Sequence, residues 1–98
     1  MALHVLMDDA GANVDTALAR ASMATVQDID KSEYGVCQVS IASAGTVSLQ
    51  GRLSNNMPWQ EITSFTATGA IRVTLMNQMI ATLTGWDSGV VRVELQET

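Results

Sequence analysis

This chain of 98 residues is short of nearly every residue on which reactive sites are built. It has one histidine, one cysteine, one proline and five basic residues. A lone cysteine, Cys37, excludes an intrachain disulfide, so stability must come from packing, and folding in a reducing cytoplasm is compatible with that. A Ser-His-Asp or Cys-His device would have to use His4, inside the first apolar run, because nucleophilic catalysis needs a base beside the nucleophile. Zinc needs three or four converging Cys, His, Asp or Glu ligands, and one His with one Cys argues against such a site. The basic residues Arg20, Lys31, Arg52, Arg72 and Arg92 are scattered, which leaves no stripe to neutralise phosphates. Nucleic acid and an anionic membrane are therefore not expected as partners. The run from Leu3 to Met7 is too short and lacks the basic leader of a signal peptide. No segment approaches the ~18 apolar residues of a transmembrane span.

Charge is scarce as well. Charged residues make up 15 % of the chain and apolar ones 47 %, with a net charge of -5. An ordinary soluble domain carries about 25 % charge. Serine, threonine, glutamine and asparagine take its place. Such a surface loses little hydration energy when a partner covers it, which suits a subunit packed into an assembly. Threonine also suits strands in their own right, so composition leaves both explanations open.

What the chain does have is alternation. Residues 34–41 place Cys37, Val39 and Ile41 on one face. Residues 46–53 place Val47, Leu49 and Leu53 inward and Ser48, Gln50 and Arg52 outward, with Gly51 marking a bulge or a close backbone approach. In residues 59–65, Trp59, Glu61 and Thr63 alternate with Gln60 and Ile62. Further strands are expected over 71–75, 79–84 and 90–96, and short ones over 3–7 and 25–30. Residues 8–13, 42–45, 54–58, 67–70 and 85–89 read as turns or loops, and 77–78 as a short loop. Val14, Ala17, Leu18 and Ala21 keep helical spacing while Val14, Thr16 and Leu18 also alternate, so residues 14–24 read as a short helix or as extended structure. Seven or eight short strands with frequent turns, and no βαβ rhythm, predict a single all-β domain: an antiparallel β-sandwich or small barrel.

Several side chains invite chemistry. Cys37, in an alternating run, reads as a small buried hydrophobe. Asp8, Asp9 and Asp15, and Asp28 with Asp30, form the acidic clusters, but neither matches a calcium loop. Glu61 and Glu94 could face one another as a carboxylate pair, yet nothing in the sequence sets their separation. Trp59 and Trp86 are possible sugar platforms. Trp59 suits a core or rim position, whereas Trp86, between Gly85 and Asp87, is the better exposed anchor. Met57 and Met76 could pack against a neighbour. Leu3, His4, Val5, Met57 and Trp86 are accordingly the candidate interface residues. No catalytic, cofactor or metal-ligand set emerges, and the chain does not read as an enzyme.

One stretch carries a resemblance. Val47 to Gly51, the polar loop that follows, and Trp59 with Ile62 are similar to small virion proteins of tailed bacteriophages, where a strand ending in Gln-Gly runs into a loop and then a Trp-led strand. Ile71-Arg72-Val73 and the terminal strand from Ser88 to Leu95 supply the matching later pieces. The resemblance covers about residues 34–96; the first third lies outside it. It implies a jelly-roll-like sandwich and a structural role: a capsid decoration (cement) protein on the major capsid protein, as a homo-oligomer with a trimer favoured, or a neck or tail component. The implied location is the virion, assembled in the host cytoplasm. Residues 1–7 would then serve as an arm or an edge strand. A carbohydrate-binding sandwich using Trp59 or Trp86 is the reading from another class.

Overall fold

The computed structural model describes residues 3–10, 24–29, 33–42, 45–85 and 89–98. Within them the chain forms eight strands and no helix: β1 (Leu3–Ala10), β2 (Ala24–Asp28), β3 (Tyr34–Ile41), β4 (Thr46–Arg52), β5 (Gln60–Phe65), β6 (Gly69–Thr74), β7 (Gln78–Thr84) and β8 (Val91–Glu97). They build two antiparallel four-stranded sheets, ordered β1-β8-β3-β6 and β2-β7-β4-β5. The first and last strands lie side by side, and only the β4–β5 connection stays within one sheet. This order is the jelly roll, two Greek keys folded into a sandwich. The helix-or-strand question over 14–24 lies outside the described residues, apart from Ala24, which opens β2.

The core follows from alternation. Every second residue of β3, β4, β7 and β8 is buried. Cys37, Val39, Val47, Leu49, Met79, Ala81, Leu83, Val91, Val93 and Leu95 are fully enclosed between the sheets. Burying one such Val or Leu side chain stabilises the fold by about 1.5–3 kcal/mol relative to exposure. Removal of this apolar surface from water therefore holds the sheets together. Most of the alternate, outward residues of these strands are polar, so each strand is stable with one face in the core and the other toward water.

Three register shifts modify the pattern, two in the β1–β8 ladder and one in the β4–β5 ladder. In the β1–β8 ladder, Val5 pairs with Glu94 and Met7 with Val93, so Leu6 is an extra residue, and Leu6 and Met7 are both buried. In the β4–β5 ladder, Leu49 pairs with Thr63 and Gln50 with Glu61, making Ile62 the extra residue. Ile62 packs against the core although strict alternation would assign it to the face opposite Thr63. A bulge turns two consecutive side chains toward one face. The expected grouping of Trp59, Glu61 and Thr63 is thus broken: Thr63 shares the inward face of Leu49, while the Glu61 carboxylate accepts a bond from the outward Ser48 hydroxyl at 2.8 Å.

Other boundaries also shift. Leu53, expected inward, is 58 % exposed because β4 ends at Arg52 and the chain turns away. β1 continues through Asp8 and Asp9 to Ala10, held by β8, where a turn was expected. β6 opens at Gly69, inside the expected turn, and β7 opens at Gln78. Residues 3–7 are not a free arm; they are the edge strand of the first sheet.

Candidate docking surfaces

The outer face of the first sheet can be read row by row from its register. One row runs Leu3, Gln96, Val36, Arg72 across β1, β8, β3 and β6; the next runs Val5, Glu94, Gln38, Ala70. Leu3, Val5 and Val36 are 56 %, 36 % and 41 % exposed. Three apolar side chains, two on β1 and one on β3 with β8 between, thus face water beside polar ones. A shallow depression lies on β8 and β3 of the same face, lined by Gln38, Ser40, Arg92 and Glu94. Arg92 Nε donates to Glu94 Oε2 at 2.5 Å, two residues along the same strand. Both side chains are about one-third exposed, so this pair orders the surface more than it stabilises the fold.

His4 sits between Leu3 and Val5 but points the other way. Its ladder partner is the buried Leu95, and its Nε2 lies 2.6 Å from Glu97 Oε2. The two side chains are only 17 % and 7 % exposed. His4 therefore ties the start of β1 to the end of β8 inside the sandwich and does not share the exposed face of its neighbours. A polar contact in such a place costs more to break than a surface pair, because a buried polar group must be hydrogen-bonded.

A second surface is the loop between β4 and β5. Leu53 and Met57 are more than half exposed there. Local bonds hold the loop. Met57 N–H donates to Ser54 C=O at 3.1 Å, and Asn77 Nδ2 donates to Leu53 C=O at 3.0 Å. Asn55 Oδ1 accepts from Gln78 Nε2 at 2.8 Å. Arg52 donates to Gln78 Oε1 at 2.7 Å and lies 4.1 Å from the Trp59 ring centroid, a cation–π contact. Trp59 is half-buried, as a rim residue would be, and the Arg52 guanidinium occupies one of its faces. A sugar could stack only on the other.

Cys37 is fully buried between the sheets, and burial pushes its thiol up to about 11 from the ordinary 9.0, since the low-dielectric interior disfavours the thiolate. Among the described residues no three His, Cys, Asp or Glu side chains gather as metal ligands. Glu61 and Glu94 lie on the outer faces of opposite sheets, so the carboxylate pairing weighed from sequence is not formed. The structure brings Leu3 and Val5 together on one face and places Met57 on a separate loop; Trp86 lies outside the described residues. Sequence reasoning missed Val36, Leu53, Tyr34 and Ile71 as exposed apolar residues. Ile71 is exposed because β6 is an edge strand, Tyr34 and Val36 because they stand on the outer face of β3, and Leu53 because it lies past the end of β4. No protein-family model, curated protein or solved structure matches the chain.

Proposed function

We propose that this protein is a structural subunit of a bacteriophage particle, most favourably a capsid decoration protein that binds the outer surface of the major capsid shell. The observation that carries the docking part is the outer face of the first sheet, where Leu3, Val5 and Val36 stand exposed among mostly uncharged side chains, with Arg92 and Glu94 paired to each other and Arg72 at the far edge. Covering such a face removes apolar surface from water and strips few charges of hydration. The jelly roll is a capsid architecture as well as a lectin and cupin one, so fold alone leaves the assembly open. The sequence resemblance of residues 34–96 supplies the virion. A symmetric homo-oligomer, with a trimer favoured, would present several copies of the face at once and gain affinity through effective concentration.

Mass spectrometry of purified particles tests this reading. Hundreds of copies per particle are expected of a decoration protein. A dozen or fewer would point to the neck or tail, and absence from mature particles would end the proposal. Size-exclusion chromatography with light scattering, with and without assembled capsids, reports self-association and shell binding together. The carbohydrate-binding alternative is weaker at Trp59, because Arg52 already covers one ring face.

A further inference from the structure

Four strands form the edges of the sandwich: β1 and β6 in the first sheet, β2 and β5 in the second. An exposed edge is a template for another strand, and natural edges are blunted by bulges, short length, proline or charge. β1 carries two register shifts and β5 one, and β2 has only five residues. β6 differs. It pairs with β3 in unbroken register from Gly69 to Thr74 and contains no proline. Among the described residues its other side is hydrogen-bonded to nothing.

The side chains of β6 fit an incoming strand. Ile71 pairs with the buried Cys37 and so faces the gap between the sheets, yet it is 44 % exposed because no strand lies beyond it. Val73 lies on the same inner face. On the outer face, Arg72 lies 4.6 Å from the Tyr34 ring centroid, stacked back over β3. Tyr34, Arg72, Val73 and Thr74 line a shallow depression there. The Arg72 guanidinium makes no hydrogen bond or ion pair with any described residue. The carboxylate on the same sheet face, Glu94, is already bonded to Arg92. In a chain of net charge -5, this is a positive charge that no described residue pairs, beside a backbone edge that no described strand covers.

We propose that β6 is a docking edge for an extended protein segment in which one carboxylate residue stands between two apolar ones. Added as an antiparallel strand, such a segment would satisfy the free N–H and C=O groups of β6. The residue opposite Arg72 would stand about 5 Å away on the outer face, within reach of the guanidinium. Its two neighbours would point inward beside Ile71 and Val73 and cover the exposed part of Ile71. Stacking on Tyr34 restricts the guanidinium before the partner arrives, which lowers the ordering cost of the ion pair. The inference deepens the docking reading above and rests on it, but not on the identity of the assembly.

The test is a titration of the full chain, labelled with nitrogen-15, with the capped peptide Thr-Val-Glu-Val-Thr and its Gln counterpart, followed by amide chemical shifts. Shifts concentrated at residues 69–74 are expected, with the Glu peptide bound roughly three- to five-fold more tightly, the value of an exposed charge pair. Arg72→Gln should abolish that difference while leaving the spectrum folded. Absence of shifts at millimolar peptide, shifts confined elsewhere, or equal affinity for both peptides would overturn the proposal. Tighter peptide binding by Arg72→Gln would also overturn it, since Arg72 would then be a guard that repels strands from the edge. Particle mass spectrometry decides the virion reading separately, so the two failures are distinguishable.

Discussion

Replacement of Gly35 by alanine probes the junction of the two central strands of the first sheet. A Cβ built at Gly35 would lie 2.6 Å from the backbone carbonyl oxygen of Gln96 and 3.2–3.3 Å from the Leu75 methyls. An ordinary carbon–oxygen contact is about 3.3 Å or more, so β3 and β8 must separate locally by about 0.7 Å. Ladder bonds of ~2.9 Å stretched by that amount leave the bonding range. Two weakened bonds at about 0.5–1.5 kcal/mol each, with overpacking against Leu75 of about 1–3 kcal/mol, outweigh the ~0.5–1 kcal/mol that alanine gains in chain entropy. The net loss is about 1–5 kcal/mol, with a middle value near 3. Gly51→Ala is the control. Its Cβ would meet only the sulfurs of Met76 and Met79 and the Ile62 Cδ1, at 2.9–3.0 Å. These are side-chain ends, and thioethers swing aside readily, so its effect should stay within about 1 kcal/mol. Urea unfolding followed by far-ultraviolet circular dichroism reads both. With a slope near 1 kcal/mol/M for a domain of this size, Gly35→Ala should move the midpoint down by about 1 M or more at unchanged slope. A Gly35→Ala midpoint within 0.5 M of wild type, or a larger loss for Gly51→Ala, would refute the close-approach argument (the 0.5 M margin being about 0.5 kcal/mol at that slope).

Leu49→Ala, at a fully buried position, should cost about 2–4 kcal/mol by calorimetry or urea titration; a loss under 1 kcal/mol would place Leu49 outside the core. The Cys37 thiol should resist aromatic disulfide reagents at pH 8 until the protein unfolds. Because its folded value lies near 11 and its ordinary value at 9.0, the unfolded state releases this proton first as pH rises. The stability held by the neutral thiol is then complete below pH 9 and lost as pH climbs through about 11; Cys37→Ala should flatten that alkaline decline. His4→Ala removes one partner of a carboxylate that is 7 % exposed and should destabilise by about 1–3 kcal/mol. A double-mutant cycle with Glu97→Gln that returns no coupling would show that the contact contributes nothing. Arg52→Ala should shift Trp59 fluorescence, measured in a Trp86→Phe background, and cost about 0.5–1 kcal/mol.

Much of the fold was legible because apolar and polar residues alternate over β3, β4, β7 and β8, and each of those strands has one face in the core. Gly51 was read in part: it lies in the inward row, but the atoms nearest its Cβ position are the side chains of Met76, Met79 and Ile62 and not backbone, and the register shift of that ladder falls between Leu49 and Gln50. The jelly-roll order came from the resemblance and not from periodicity, since strand spacing alone left sandwich and barrel equally open. Illegible were the bulges at Leu6 and Ile62. A bulge is a mismatch between two strands far apart in sequence, and neither strand announces it. The candidate interface was read in part. Leu3, Val5 and Met57 are exposed, but His4 turns inward to Glu97, 93 residues away, and no local pattern encodes that contact.

Sequence by itself determined the fold class of this protein: amphipathic strands must pair and stack to hide one face. Tertiary structure decided which strands lie at the edges, and therefore which apolar side chains stay in water. Ile71 stands on the inward face beside the buried Cys37 and differs from a core residue only in what lies beyond it, whereas Leu3 and Val36 face outward from their strands. Burial is a property of neighbours brought together by long-range pairing, and alternation specifies a face without naming what will cover it.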